Sequence, residues 1–118
     1  MNAIASGTVL ITGPTGGLGK AATLAIANRP AAQRPDLLLV GRPGAALTEV
    51  AEAARAAGAT VQEIGCDLAR LAHVRDAARQ VKDLLAVGAV RPLRAIVANA
   101  GVSVARSEEH TSELQSPC

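Results

Sequence analysis

A chain of 118 residues with 49% hydrophobic and 19% charged residues has room for one small globular domain, and no stretch approaches the roughly 18 uninterrupted apolar residues of a membrane span. Its formal net charge of +2 comes without a basic stripe or interleaved aromatics, which argues against a nucleic-acid surface. With no Phe, Trp or Tyr, any core must be assembled from Ala, Val, Leu and Ile.

The amino-terminal run shows neither the charged leader nor the small-residue cleavage site of a secretory signal, and Cys66 and Cys118 cannot make a disulfide framework. Neither cysteine has zinc-type neighbours, so no metal is expected, and the expected setting is the reducing cytoplasm. Thr8 to Ile11 is a short continuous apolar run that predicts a buried strand. Leu18 to Asn28 has helical character and stops at Arg29-Pro30. Gln33 to Asp36 reads as an ordinary loop before a second buried strand, Leu37 to Val40. A second helix, Ala45 to Ala57, ends at Gly58, and Glu49, Glu52 and Arg55 on it read as a solvated face. Thr60 to Ile64 alternates weakly and reads as a third strand. From Leu71 to about Val87, Val74, Ala77, Ala78, Val81, Leu84 and Leu85 recur at three- and four-residue steps, the apolar face of a third helix. Arg94 to Ala98 is a fourth strand, stopped by Asn99-Ala100-Gly101. The order βαβαβαβ predicts an α/β fold, a doubly wound parallel sheet with right-handed crossovers.

The segment joining the first strand to the first helix is Thr12-Gly13-Pro14-Thr15-Gly16-Gly17-Leu18-Gly19. Glycines there permit a tight turn, a backbone able to touch a pyrophosphate, and close packing of helix on strand. Alone they could be no more than a turn; between a first strand and a first helix they point to a dinucleotide site. The rival phosphate loop, GxxxxGK followed by Ser or Thr, fails because Pro14 stands at its first glycine and Ala21 at its hydroxyl.

With Thr12, Gly13, Gly17 and Gly19 in place, this loop resembles the TGxxxGxG pattern of classical short-chain dehydrogenase/reductases, though Gly13, Gly16 and Gly19 also fit the TGxxGxxG of the extended branch. Cys66-Asp67-Leu68 resembles the family's adenine-contacting Asp-Leu or Asp-Val. Val97-Ala98-Asn99-Ala100-Gly101 resembles the NNAG of classical members, with Ala98 in place of the first Asn. The resemblance runs from about Thr8 to Ala105 and implies a Rossmann-type sheet, here cut after its fourth strand. It implies a cofactor site formed by Gly13, Thr15, Gly16, Gly17, Leu18, Gly19, Arg42, Asp67, Leu68, Asn99, Ala100 and Gly101. Taken alone, Asp67 would be a helix cap and Asn99 part of a plain turn.

At the end of the second strand an enzyme using NAD places an acid and one using NADP a base. Here the sequence reads Val40-Gly41-Arg42-Pro43 with Asp36 at the other end, so NADP is expected over NAD, unless Arg42 is only a solvated loop residue. His73 has no partner visible in the sequence, and Cys66 reads as a small buried hydrophobe.

The resemblance also implies carbonyl/alcohol interconversion of a small molecule by a Ser and a YxxxK pair. The chain has no tyrosine, so no catalytic residue is assigned and this chain is expected to be inactive. Residues 106–118 form a polar tail with three of the ten acids, and Arg106 to Pro117 resembles the in-frame translation of a sequencing-library adapter. The expectation is therefore one cofactor-binding unit over residues 1–105 followed by a non-native tail, from an intact parent for which a homo-oligomer is one option. The alternative is a non-catalytic nucleotide-binding module.

Overall fold

The computed structural model describes residues 7–99. Four strands, β1 (Thr8–Thr12), β2 (Asp36–Gly41), β3 (Val61–Gly65) and β4 (Leu93–Ala98), alternate with three helices, α1 (Gly17–Ala27), α2 (Ala45–Ala56) and α3 (Leu71–Ala86). All pairings are parallel and the order is β3-β2-β1-β4. The expected α/β class and element order are present, with boundaries moved by no more than one residue. The larger differences lie before β2, where Ala31–Gln33 forms a 3-10 turn and Asp36 belongs to the strand.

Two apolar layers sandwich the sheet. On one face Val9, Ile11, Leu37, Leu39 and Val61 meet Leu47, Val50, Ala51 and Ala54 of α2 and Ala27 of α1. On the other, Leu38, Val40 and Ile64 pack with Cys66, Ala77 of α3 and Val90. β1 and β2 are hydrophobic on both faces because both faces are covered, the usual reason that central parallel strands do not alternate. β4 does alternate: Leu93, Ala95 and Val97 are half-buried, whereas Arg94, Ile96 and Ala98 are exposed. Ile96 is 60% exposed because α3 covers β2 and β3 and stops short of β4. Of the anticipated apolar face of α3, Ala77 is buried and Ala78 is exposed.

Several polar side chains lock the frame in ways the sequence did not announce. Arg34 is no plain loop residue: its Nε and Nη2 donate to the Arg29 carbonyl at 3.1 and 2.9 Å, and its Nη1 donates to that of Gly58 at 2.7 Å. Arg55, read as solvated, pairs with Glu63 at 3.3 Å and also donates to the Val61 carbonyl at 2.9 Å. At the amino-terminal edge of the sheet, the Asp36 carboxylate accepts from the Arg91 backbone at 2.9 Å and from its guanidinium at 3.2 and 3.3 Å. The Thr8 hydroxyl donates to the Arg91 carbonyl, so one residue between α3 and β4 fastens β1 and β2 together.

The two sheet positions Leu38 and Ile96 separate buried from uncovered apolar surface. In the full chain Leu38→Ala should cost about 2–5 kcal/mol, whereas Ile96→Lys should leave the unfolding midpoint in denaturant within experimental error and lower the binding of a hydrophobic dye. A large destabilisation by Ile96→Lys would mean that this face of β4 is covered.

Candidate functional site

Strand order reverses on either side of β1: β2 and β3 lie on one side, β4 on the other. In an open α/β sheet the crevice outside the carboxyl ends of the strands, at such a switch point, is where ligands bind. Four hydrogen bonds tie these ends into one row. The Gly13 N–H donates to the Val40 carbonyl at 3.3 Å, and the Cys66 N–H donates to that of Gly41 at 2.7 Å. The Asn99 N–H donates to the Thr12 hydroxyl at 2.9 Å, and its side-chain amide donates to the Gly13 carbonyl at 3.2 Å. The loop after β1, the Arg42 turn, the Asp67 turn and Asn99 therefore share one edge.

Within that loop the glycines have different causes. Gly13 and Gly17 have φ of 64° and 43°, left-handed values that L side chains rarely adopt. A Cβ on Gly19 would lie 1.9 Å from the Gly13 carbonyl oxygen and 2.8 Å from the Asn99 side-chain nitrogen. Only a glycine lets α1 start this close to the end of β1. Gly16 has φ of −130°, which any residue adopts, and a Cβ there would meet nothing within 4 Å. Nothing within the described fold requires a glycine at that position.

Gly16 is the residue before the first turn of α1, and no side chain caps the helix. The first N–H groups of a helix have no intrahelical partner, so those at Gly17 and Leu18 face outward at the positive end of the helix dipole. Thr15, Gly16, Gly17 and Leu18 are all exposed, Leu18 to 79%. Pro14 is fully buried against the end of β2, which anchors the start of the loop.

Arg42 follows β2 directly, is exposed and has no hydrogen-bond or ion-pair partner among the described residues. Asp36, at the other end of β2, is held by Arg91. Asp67 does not cap α3. Its Oδ1 accepts from the Ala69 N–H two residues on at 3.0 Å, an Asx turn, and the residue before α3 is Arg70. Leu68 beside it is 41% exposed. Cys66 is buried as anticipated, and burial together with the Asp67 carboxylate pushes its thiol pKa up, away from nucleophilic character. Ala100 and Gly101, the remaining anticipated site residues, lie outside the described residues.

Two contacts at this edge were not visible in the sequence. Asn99, anticipated only as a site residue, also clamps β4 to β1, and His73, for which the sequence shows no partner, accepts the Asp67 N–H on its Nδ1 at 3.2 Å. Away from this edge, α3 carries a shallow concavity of about 380 Å³ lined by Arg75, Ala78, Arg79, Lys82 and Asp83, near which Arg79 pairs with Asp76.

Comparison with known proteins points the same way. The family model for short chain dehydrogenases matches residues 7–116. A Streptomyces sp. (strain C5) protein that carries the name daunorubicin C-13 ketoreductase DnrU is 43% identical over 77 residues, 64% of this chain and 25% of that protein. Among solved structures, PlmKR1, the ketoreductase from the first module of phoslactomycin biosynthesis in Streptomyces sp. HK803, is 36% identical with a TM-score of 0.61, over 80% of this chain and 21% of that one. A short chain dehydrogenase/reductase from Burkholderia phymatum, in complex with NAD, is 28% identical with a TM-score of 0.57, over 70% of this chain and 28% of its own. The chain thus spans about a quarter of the length of these relatives.

Glycines 16 and 19 should separate ligand space from packing. Gly19→Ala drives a methyl group into the Gly13 backbone and should cost about 1–3 kcal/mol or more, measured by denaturant unfolding. Gly16→Ala should leave that midpoint unchanged.

Proposed function

Because the chain belongs to the short chain dehydrogenase family, we propose that its loop-lined sheet edge binds a nicotinamide dinucleotide, NADP in preference to NAD. Gly16 is the observation that carries this reading. A glycine that neither backbone conformation nor packing requires, at a helix start with outward N–H groups, is explained by a pyrophosphate resting against its backbone. Thr15, Gly16, Gly17 and Leu18 would hold the pyrophosphate, with Gly13 and Gly19 setting the loop's shape. Asp67 and Leu68 would receive the adenine, and Asn99, Ala100 and Gly101 would border the nicotinamide end. Arg42, exposed and with no partner among the described residues, would pair with a 2′-phosphate. Asp36 cannot take the ribose-binding part of an acid, since it sits at the opposite edge and is bound to Arg91.

Bound there, the cofactor would supply a hydride for a carbonyl or accept one from an alcohol. The ketoreductase names of two relatives support a small-molecule carbonyl as the substrate class of the intact protein. This chain has no tyrosine to act as the family's proton donor, which favours a second reading for the chain by itself: it binds dinucleotide without turning it over.

Calorimetric titration of the full chain should show tighter binding of NADPH than of NADH. Arg42→Ala should weaken NADPH binding by about 1.5–3 kcal/mol and leave NADH binding unchanged. Gly16→Val should weaken both. Equal affinities of the unaltered chain for the two cofactors would overturn the NADP assignment. A continuous assay of NADPH oxidation with ketone substrates should show no turnover by the 118-residue chain, and enzyme-like turnover would overturn the non-catalytic reading.

A further inference from the structure

We propose that His73 is a positioning residue for the adenine-binding Asp67, an inference that rests on the dinucleotide reading above. Asp67 lies in the turn that joins β3 to α3, and most of its polar atoms are already committed within the fold. Its N–H donates to His73 Nδ1 at 3.2 Å, its carbonyl accepts from the Arg70 N–H at 2.9 Å, and its Oδ1 accepts from the Ala69 N–H at 3.0 Å. The residue before it is fixed as well, by the Cys66 N–H on the Gly41 carbonyl at 2.7 Å. One group is left over: Oδ2 has no partner among the described residues. A carboxylate oxygen held in this way suits a ligand that donates N–H, such as the exocyclic amine of adenine.

His73 sits in the first turn of α3 and reaches back six residues. Because Asp67 donates through a backbone N–H, Nδ1 must be unprotonated, so the ring hydrogen of the neutral form is on Nε2. The bond fixes where the turn leaves β3 relative to the helix, and therefore where the carboxylate points. Removing it leaves the Asx turn and the Arg70 bond intact but frees the amide end of Asp67. The residue thus orients a binding group without touching the ligand.

The side chain of Asn carries its Oδ1 on Cγ, as His carries Nδ1, so His73→Asn retains the acceptor while His73→Ala removes it. Ala is a good helix former, so α3 should persist in that variant. In the full chain, amide exchange at Asp67 should be faster in His73→Ala and restored in His73→Asn. The Kd for NADPH should rise about three- to tenfold in His73→Ala, the scale of one neutral hydrogen bond, and recover in His73→Asn. In an Asp67→Ala background the same His73→Ala change should have little further effect on NADPH affinity, as coupled neighbours require. Unchanged NADPH affinity in His73→Ala, beside an unaltered chain that binds, would overturn this inference alone. So would a full-sized loss in the Asp67→Ala background. Failure of the unaltered chain to bind NADPH would overturn the dinucleotide reading, and this inference with it.

Discussion

The first helix must begin almost on top of the last residues of β1, and the missing Cβ of Gly19 is what allows it. Any side chain there would lie 1.9 Å from the Gly13 carbonyl oxygen. That same oxygen receives the side-chain amide of Asn99, so helix start, strand end and fourth strand converge on one peptide group. From this point the bonds between Gly13 and Val40 and between Gly41 and Cys66 extend the row across β2 to the turn after β3. The loops of the candidate site are thereby held at the end of a parallel sheet whose central strands are mostly buried.

The two edges of the sheet are chemically unlike. At the amino-terminal edge charge is neutralised: Asp36 is satisfied by both the backbone and the guanidinium of Arg91, with only 13% of its side chain exposed. At the carboxyl edge the fold leaves backbone N–H groups without a cap and Arg42 without a partner among the described residues. The Asp67 carboxylate lies on the same edge, so the groups left open there carry both signs, whereas those of the opposite edge pair with one another.

Much of this was legible in the sequence because it is written in short-range patterns. The apolar runs of β1 and β2, the periodicity of α3 and the glycine spacing after β1 each lie within about a dozen residues, and each element formed where its pattern placed it. Gly13, Gly17 and Gly19 could be grouped from their spacing, but their separate causes, two of backbone angle and one of contact, exist only once α1 lies on β1. What escaped was long-range or polar. Asp36 and Arg91 are 55 residues apart, Asn99 and Gly13 are 86 apart, and no local pattern announces either pair. Arg34 reads as part of an ordinary loop and Arg55 as part of a solvated face because a long side chain's destination depends on backbone carbonyls that tertiary folding brings near. Ala78 was assigned to the apolar face by helical period, but α3 does not extend its cover over β4, so the outer part of that face stays open.

The pairing of β1 with β4 slips by one residue: Thr8 lies opposite Leu93, Val9 opposite Ala95, and Arg94 is passed over. Carried on without that slip, the ladder would set Arg94 opposite Val9, on the face covered by α1 and α2, and Ile96 opposite Ile11. A strand shifted by one position exchanges its faces entirely. The skipped residue therefore keeps a guanidinium out of an apolar layer and brings Asn99 level with Thr12 and Gly13. Chain length through β4 is consequently a constraint in its own right. Gain or loss of a single codon between Pro92 and Asn99 would invert the strand and undo the clamp, although every side chain in the glycine loop remained as it was.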